Sequence, residues 1–253
     1  MIVFHYDKTF EGLLTAIFDS YFRRTRPAKL LAEGEPEPLF VDESHLVITQ
    51  DDKAARVWRS VEKKLDKSEC NMVMHAWLSE EPGSDELVFR FLCKVIDSKR
   101  KITTNYNDAD VLEIQELARK VSKEARRMFQ FVRFQKAADG TYFAPVEPLY
   151  NALPLAVDHF IDRFADQKWL IYDVKRRYGF YYDMREAVEV RITEDGHLIK
   201  GILDEKMMAE DEKLFQELWK RYFKALSIKE RYNPRLQRQN MPRRFWKYLT
   251  EKQ

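Results

Sequence analysis

The chain has 253 residues, 44 Lys+Arg against 42 Asp+Glu for a formal charge of +2, and is 45% hydrophobic and 34% charged. That length and balance support a folded core and exclude a disordered chain. Seven glycines and no G-x-G-x-x-G leave little to build a phosphate-cradling loop, and the nearest approach, Gly196 to Gly201, is followed by Ile202 and Leu203 where Lys and Ser or Thr are required.

Residues 2–6 read as a short strand, and Asp7 or Thr9 can cap the helix that follows. In that helix Phe10, Leu13, Leu14, Ile17, Phe18 and Tyr21 recur at helical spacing and make one apolar face. Arg23, Arg24, Arg26 and Pro27 end it. Residues 27–38 read as loop and His45–Gln50 as a short strand. Asp51 opens a second helix, with Ala54, Val57, Trp58, Val61 and Leu65 inward, and an apolar helix follows over Asn71–Leu78. Pro82-Gly83-Ser84 breaks the chain before a helix over Asp85–Lys99. A fourth helical block follows Asn107, with Val111, Leu117, Val121 and Met128 apolar and five basic residues in Arg119–Arg127 on its other side.

The period then changes. Residues 129–136 alternate, Asp139-Gly140 signals a turn, and Tyr142–Val146 returns, which predicts a β-hairpin. A short helix over Leu155–Phe164 precedes a second hairpin, Trp169–Val174 and Tyr178–Asp183, joined at the corner Lys175-Arg176-Arg177. Ala187–Ile192 adds a strand before a turn at Glu194-Asp195-Gly196. An acidic helix start over Glu205–Glu212 leads into an amphipathic helix through Leu214, Leu218, Phe223 and Leu226. From Lys229 to Gln253 eight basic residues face two acidic ones. The expected fold class is α+β: a helical half over residues 1–128 packed on a mainly antiparallel sheet of hairpins in residues 129–253, with C-terminal helices, as one continuous fold.

The only cysteines are Cys70 and Cys93, so a disulfide scaffold is excluded and two reduced thiols are expected. Neither a C-x-x-C pair nor the C-x-x-x-C-x-x-C spacing of a radical-type iron–sulfur cluster occurs, and no cofactor is expected in this chain. The N-terminus has no basic region followed by an apolar one, and the longest uncharged runs, Cys70–Ser79 and Pro148–Val157, are ten residues, half of the ~20 a bilayer requires. A cytoplasmic protein without membrane association is the expectation.

A near-neutral chain binds a polyanion only where its positive charge is segregated. Three clusters qualify: Arg119–Arg127, the corner Lys175-Arg176-Arg177, and Arg235, Arg238, Arg243, Arg244 and Lys247 in the tail. Tyr178 and Tyr181 flank the corner, Trp246 lies among the tail cations, and Arg133 sits in the first hairpin. Cations beside rings suit phosphates and the unpaired bases that stack for ~1–3 kcal/mol each. The competing reading is plain: strand aromatics are usually core, and a charged hairpin tip is usually solvated. The helix around Asp158 and Asp162 places His159 and Arg163 on one side, so with Asp173 they form a candidate acid–base and phosphate-holding set. A structural contact fastening this helix to the sheet is the simpler account. No nucleophile motif appears.

The segments Phe4 to Phe18, Arg133-Phe134, Pro148 to Leu155, His159 to Gly179 and Met241 to Leu249 together resemble one family over nearly the whole chain. It is a bacterial family of uncharacterised proteins described as DNA metabolism or DNA repair proteins associated with a radical S-adenosylmethionine protein, with related domains fused to uracil-DNA-glycosylase-like domains. The resemblance implies an accessory role beside a radical S-adenosylmethionine partner and supplies no catalytic residues. Three functions follow as expectations: a module that grips single-stranded or distorted DNA through corner and tail, an enzyme using His159, Arg163 and Asp173, or a protein-only scaffold.

Overall fold

A computed structural model describes residues 1–192, the short strands Leu198–Ile199 and Ile202–Leu203, and residues 208–227 and 233–252. The chain divides into two compact units, Met1–Ser122 and Lys123–Gln253.

The N-terminal unit is built on strand β1 (Ile2–Tyr6), which lies between β2 (Lys29–Ala32) and β3 (Glu43–Leu46) with both pairings parallel. The segment read as loop over residues 27–38 thus contains β2. Its signal is only Leu30-Leu31, both buried, and a parallel partner is too remote in sequence to mark a strand locally. Helix α1 (Phe10–Phe22) is capped by Thr9, whose hydroxyl accepts the Gly12 N–H. Four more helices follow: α2 (Asp51–Glu62), α3 (Lys67–Trp77), α4 (Ser84–Asp97) and α5 (Ala109–Phe131). Helix α3 starts before the expected Asn71 because Asp66 and Glu69 form a capping box. Leu13, Ile17, Val61, Val73, Leu87, Phe91 and Ile114 belong to the core of this unit.

In the C-terminal unit the sheet order is β4 (Gln135–Lys136), β5 (Tyr142–Val146), β6 (Trp169–Asp173), β7 (Tyr178–Tyr182) and β8 (Ala187–Val190). The first expected hairpin shrinks to the two-residue β4, because α5 continues to Phe131. Val121, Ala125 and Met128 keep helical spacing on its buried side, and in an aromatic-rich run that period defeats the alternation. The hairpin β6–β7 and strand β8 form as expected, all antiparallel. Strands β5 and β6 are parallel neighbours instead. They are joined through a 3₁₀ turn, Pro154–Ala156, and helix α6 (Val157–Arg163). Trp169, Ile171, Phe160, Leu153 and Met128 form the centre of this core.

Strands β9 (Leu198–Ile199) and β10 (Ile202–Leu203) pair antiparallel. Helices α7 (Glu212–Leu226) and α8 (Pro234–Asn240) and the 3₁₀ turns Arg243–Tyr248 and Thr250–Lys252 complete the chain. The turn at Glu194-Asp195-Gly196 and residues 205–207 of the acidic helix start lie outside the described residues. The fold is mixed α and β, with a mainly antiparallel sheet and C-terminal helices. Among the described residues no helix is long and apolar enough to cross a membrane.

Candidate functional site

Strands β5 and β6 run parallel with Val146 opposite Asp173. The chain therefore leaves both strands at one carboxyl edge, the edge at which sheets with parallel strands commonly hold ligands. Asp173, 0% exposed, organises the corner that follows. Its Oδ1 accepts the N–H groups of Lys175 (3.0 Å) and Arg176 (3.1 Å), and its Oδ2 accepts from Arg176 Nη1 at 3.0 Å. Burial pushes its carboxyl above the ordinary aspartate value, against the pull of the Arg176 N–H and guanidinium. Arg177 closes the turn in the left-handed region at φ 57.

Arg176 also reaches the loop that leaves β5, donating from Nη1 to Pro148 O (3.2 Å) and from Nη2 to Leu149 O (3.3 Å). Three other segments hold that loop. Glu124 of α5, 0% exposed, accepts the Leu149 N–H at 2.9 Å and is gripped by Arg244 through Nε and Nη2, with Arg127 Nη1 at 3.2 Å. Glu147 pairs with Lys247 and accepts from the Tyr248 hydroxyl at 3.1 Å. Its bond to Lys247 leads the effects that hold its carboxyl below the usual glutamate value. The Tyr178 hydroxyl donates to Asn151 Oδ1. Loop 147–151 is thus the common anchor of corner, tail and the end of α5.

The predicted phosphate contacts separate into two groups. Arg176, Arg244 and Lys247 are paired with Asp173, Glu124 and Glu147, and Arg133 with Glu251 at 2.9 Å. Tyr178 is buried. Lys175, Arg177 and Arg243 are exposed, as are Arg235 and Arg238 on α8, while Tyr181 on β7 is half-buried. Trp246 is half-buried, with the Arg243 guanidinium 5.9 Å and the Lys252 ammonium 5.2 Å from its ring.

The set His159, Arg163 and Asp173 is not assembled. The His159 ring stacks on Phe129 with centroids 4.2 Å apart and meets Phe160 edge-on. Arg163 is exposed over Phe164, and Asp173 is committed to the corner. No hydrogen bond or ion pair among the described residues joins the three. Reading the sequence missed Glu124, Glu147 and Asn151. Glu124 did carry a signal: at i+3 from Val121 and i−4 from Met128 it puts a carboxylate on the apolar face of α5, where an acid needs a partner.

Residues 82–251 match the family model described as a domain of unknown function, DUF4130. No curated protein and no solved structure matches the chain.

Proposed function

We propose that this chain, which belongs to the DUF4130 family of domains of unknown function, is an accessory protein that binds an unpaired or distorted DNA strand at the carboxyl edge of β5 and β6. One observation carries the reading: corner and tail, remote in sequence, are fastened to the same loop 147–151. Around that loop Lys175, Arg177 and Arg243 remain exposed. Acids take Arg176 and Arg244 as struts, and the outward cations are left for phosphates.

Charge is also divided between the units. Met1–Ser122 carries 18 Lys+Arg against 22 Asp+Glu, a net of −4, and Lys123–Gln253 carries 26 against 20, a net of +6. A local field of that sign favours a polyanion even in a chain of net +2. Trp246, between Arg243 and Lys252, offers a ring for a splayed base.

The radical S-adenosylmethionine partner belongs to the same proposal. It rests on the resemblance and on a chain whose two cysteines lack cluster spacing, so that the partner performs the chemistry while this chain holds the strand. A base must leave the stack before an enzyme reaches it, and a subunit gripping flanking phosphates assists that step. Fluorescence anisotropy with single-stranded and duplex DNA tests the binding. Wild type is expected to prefer the single strand and to lose about tenfold or more in the Lys175→Ala/Arg177→Ala/Arg243→Ala variant. Absence of binding, or binding unchanged in that variant, would overturn it.

A further inference from the structure

Helix α7 of the C-terminal unit keeps an apolar side in solvent. Its packed side is Glu212, Gln216 and Phe223, with Trp219 donating from Nε1 to Glu251 Oε2 at 2.9 Å. Turned away from that side, Leu214, Phe215, Leu218, Tyr222 and Leu226 are 49–61% exposed. At 3.6 residues per turn these five fall within an arc of about 120°. Single exposed apolar side chains are ordinary, whereas a row of them along one helix arc marks a contact surface. Phe215 and Trp219 also line an open cavity of about 640 Å³ with Phe134 and Tyr142, so the apolar surface continues beyond the helix itself.

The row reads the same from either end. About residue 220, Leu214 mirrors Leu226, Phe215 mirrors Ala225, and Leu218 mirrors Tyr222. The steps of three, four and three residues from Phe215 through Leu218 and Tyr222 to Ala225 are those of a seam between two helices. Charge runs the other way along the same segment. Residues 210–217 hold Glu210, Asp211, Glu212 and Glu217 against Lys213, a net of −3 that Lys136, 3.2 Å from Asp211, reduces to −2. Residues 218–226 hold Lys220, Arg221 and Lys224 and no acid, a net of +3. Two such helices laid antiparallel set the acidic half of each against the basic half of the other, and laid parallel they oppose like charges.

We propose that the occupant of this face is a second copy of the chain, in a two-fold dimer whose α7 helices pack antiparallel through Phe215, Leu218 and Tyr222. A two-fold contact needs one patch that complements itself. The mirrored apolar row meets that need in shape and the divided charge meets it in direction. The inference is independent of the strand-binding reading. A single pair of short helices buries an area at the low end of specific interfaces, so a dissociation constant of about 10 μM is expected.

Sedimentation equilibrium of the full chain from about 1 μM to about 200 μM tests the proposal. Wild type is expected to rise from 30.4 kDa toward twice that mass, half associated near about 10 μM. Leu218→Glu changes a side chain that is exposed in the single chain, so it should keep the wild-type urea midpoint and stay monomeric throughout. Tyr222→Glu, at the mirrored position, should do the same. Arg221→Glu/Lys224→Glu should weaken the dimer about tenfold, because acidic halves then face each other. Parallel helices would lose little from that change, having opposed like charges before and after it. A wild type that stays monomeric overturns the second copy as occupant. A dimer that survives both Leu218→Glu and Tyr222→Glu overturns α7 as its seat, and one unchanged in Arg221→Glu/Lys224→Glu overturns the antiparallel arrangement.

Discussion

In the N-terminal unit the residues that follow β1 are tied down by acids. Asp85 accepts from the Tyr6 hydroxyl at 2.9 Å and from Lys8, while Asp7 takes the Thr9 N–H and the hydroxyls of Thr9 and Thr49. Several cations of this unit are met by acids: Lys53 by Asp19, Lys94 by Asp108 and Asp110, Arg90 by Asp110, and Lys101 by Glu69. At the corresponding edge of the C-terminal unit, the acids Asp173 and Glu124 lie fully inside and draw Arg176 and Arg244 with them. Their sequence neighbours Lys175, Arg177 and Arg243 stay in solvent. Both strand ends thus rest on buried acids, but in one unit Asp85 holds Lys8 and Tyr6, whereas in the other the buried acids hold Arg176 and Arg244 and their neighbours Lys175, Arg177 and Arg243 are exposed.

The largest expected effect lies beneath that edge. Glu124→Ala leaves Arg244 and Arg127 without their carboxylate and the Leu149 N–H without an acceptor. Breaking a buried ionic cluster from one side costs about 3–5 kcal/mol, readable as a lower urea midpoint. Gly179→Ala is also costly, since a Cβ there would stand 2.4 Å from Ile171 O and 3.0 Å from Tyr172 Cα in the neighbouring strand. Because backbone cannot swing aside, a loss of about 1–3 kcal/mol is expected in the same melt.

The corner sharpens the comparison within consecutive residues. Arg176→Ala should destabilise by about 3 kcal/mol or more, because it strands a buried Asp173. Arg177→Gly should leave stability equal or higher by up to about 1 kcal/mol, since glycine accepts the left-handed φ of 57 without penalty. Only the second substitution should lower DNA affinity in a protein of full stability. Equal melting losses for the two would contradict the division into struts and contacts.

The smallest effect is set by pH. Glu147 has its folded carboxyl below the ordinary glutamate value, chiefly through Lys247. The stabilisation is therefore present above the ordinary value and is lost as pH falls through the lower folded one. Both side chains are partly exposed, so a few tenths of a kcal/mol is expected. Lys247→Met should return the Glu147 carboxyl resonance toward its ordinary titration.

Much of this arrangement was legible from residue spacing. The apolar face of α1, the hairpin β6–β7 and the basic corner follow from local period and turn chemistry. What stayed hidden was non-local: β2, whose partner is a parallel strand, and the parallel register of β5 with β6, which brings loop 147–151 to the corner. Charge counting also treated Arg176 and Arg177 alike, whereas the carboxylate at i−3 of Arg176 turns one inward and leaves the other out. The exposed rings of α7, Phe215 and Trp219, are not among the apolar positions Leu214, Leu218, Phe223 and Leu226 that the sequence marks, and they line a cavity with Lys136 of β4 and Tyr142 of β5.

The most direct test of the central claim is the salt dependence of single-stranded DNA binding, measured for wild type, for Lys175→Ala/Arg177→Ala/Arg243→Ala, and for Arg244→Ala. Each lost phosphate contact should lower the slope of log K against log salt by about 0.7, so the triple variant is predicted to fall by about two. Arg244→Ala is predicted to lose stability with little change in slope. A triple variant with the wild-type slope, or an Arg244→Ala protein that loses the slope instead, would contradict the account.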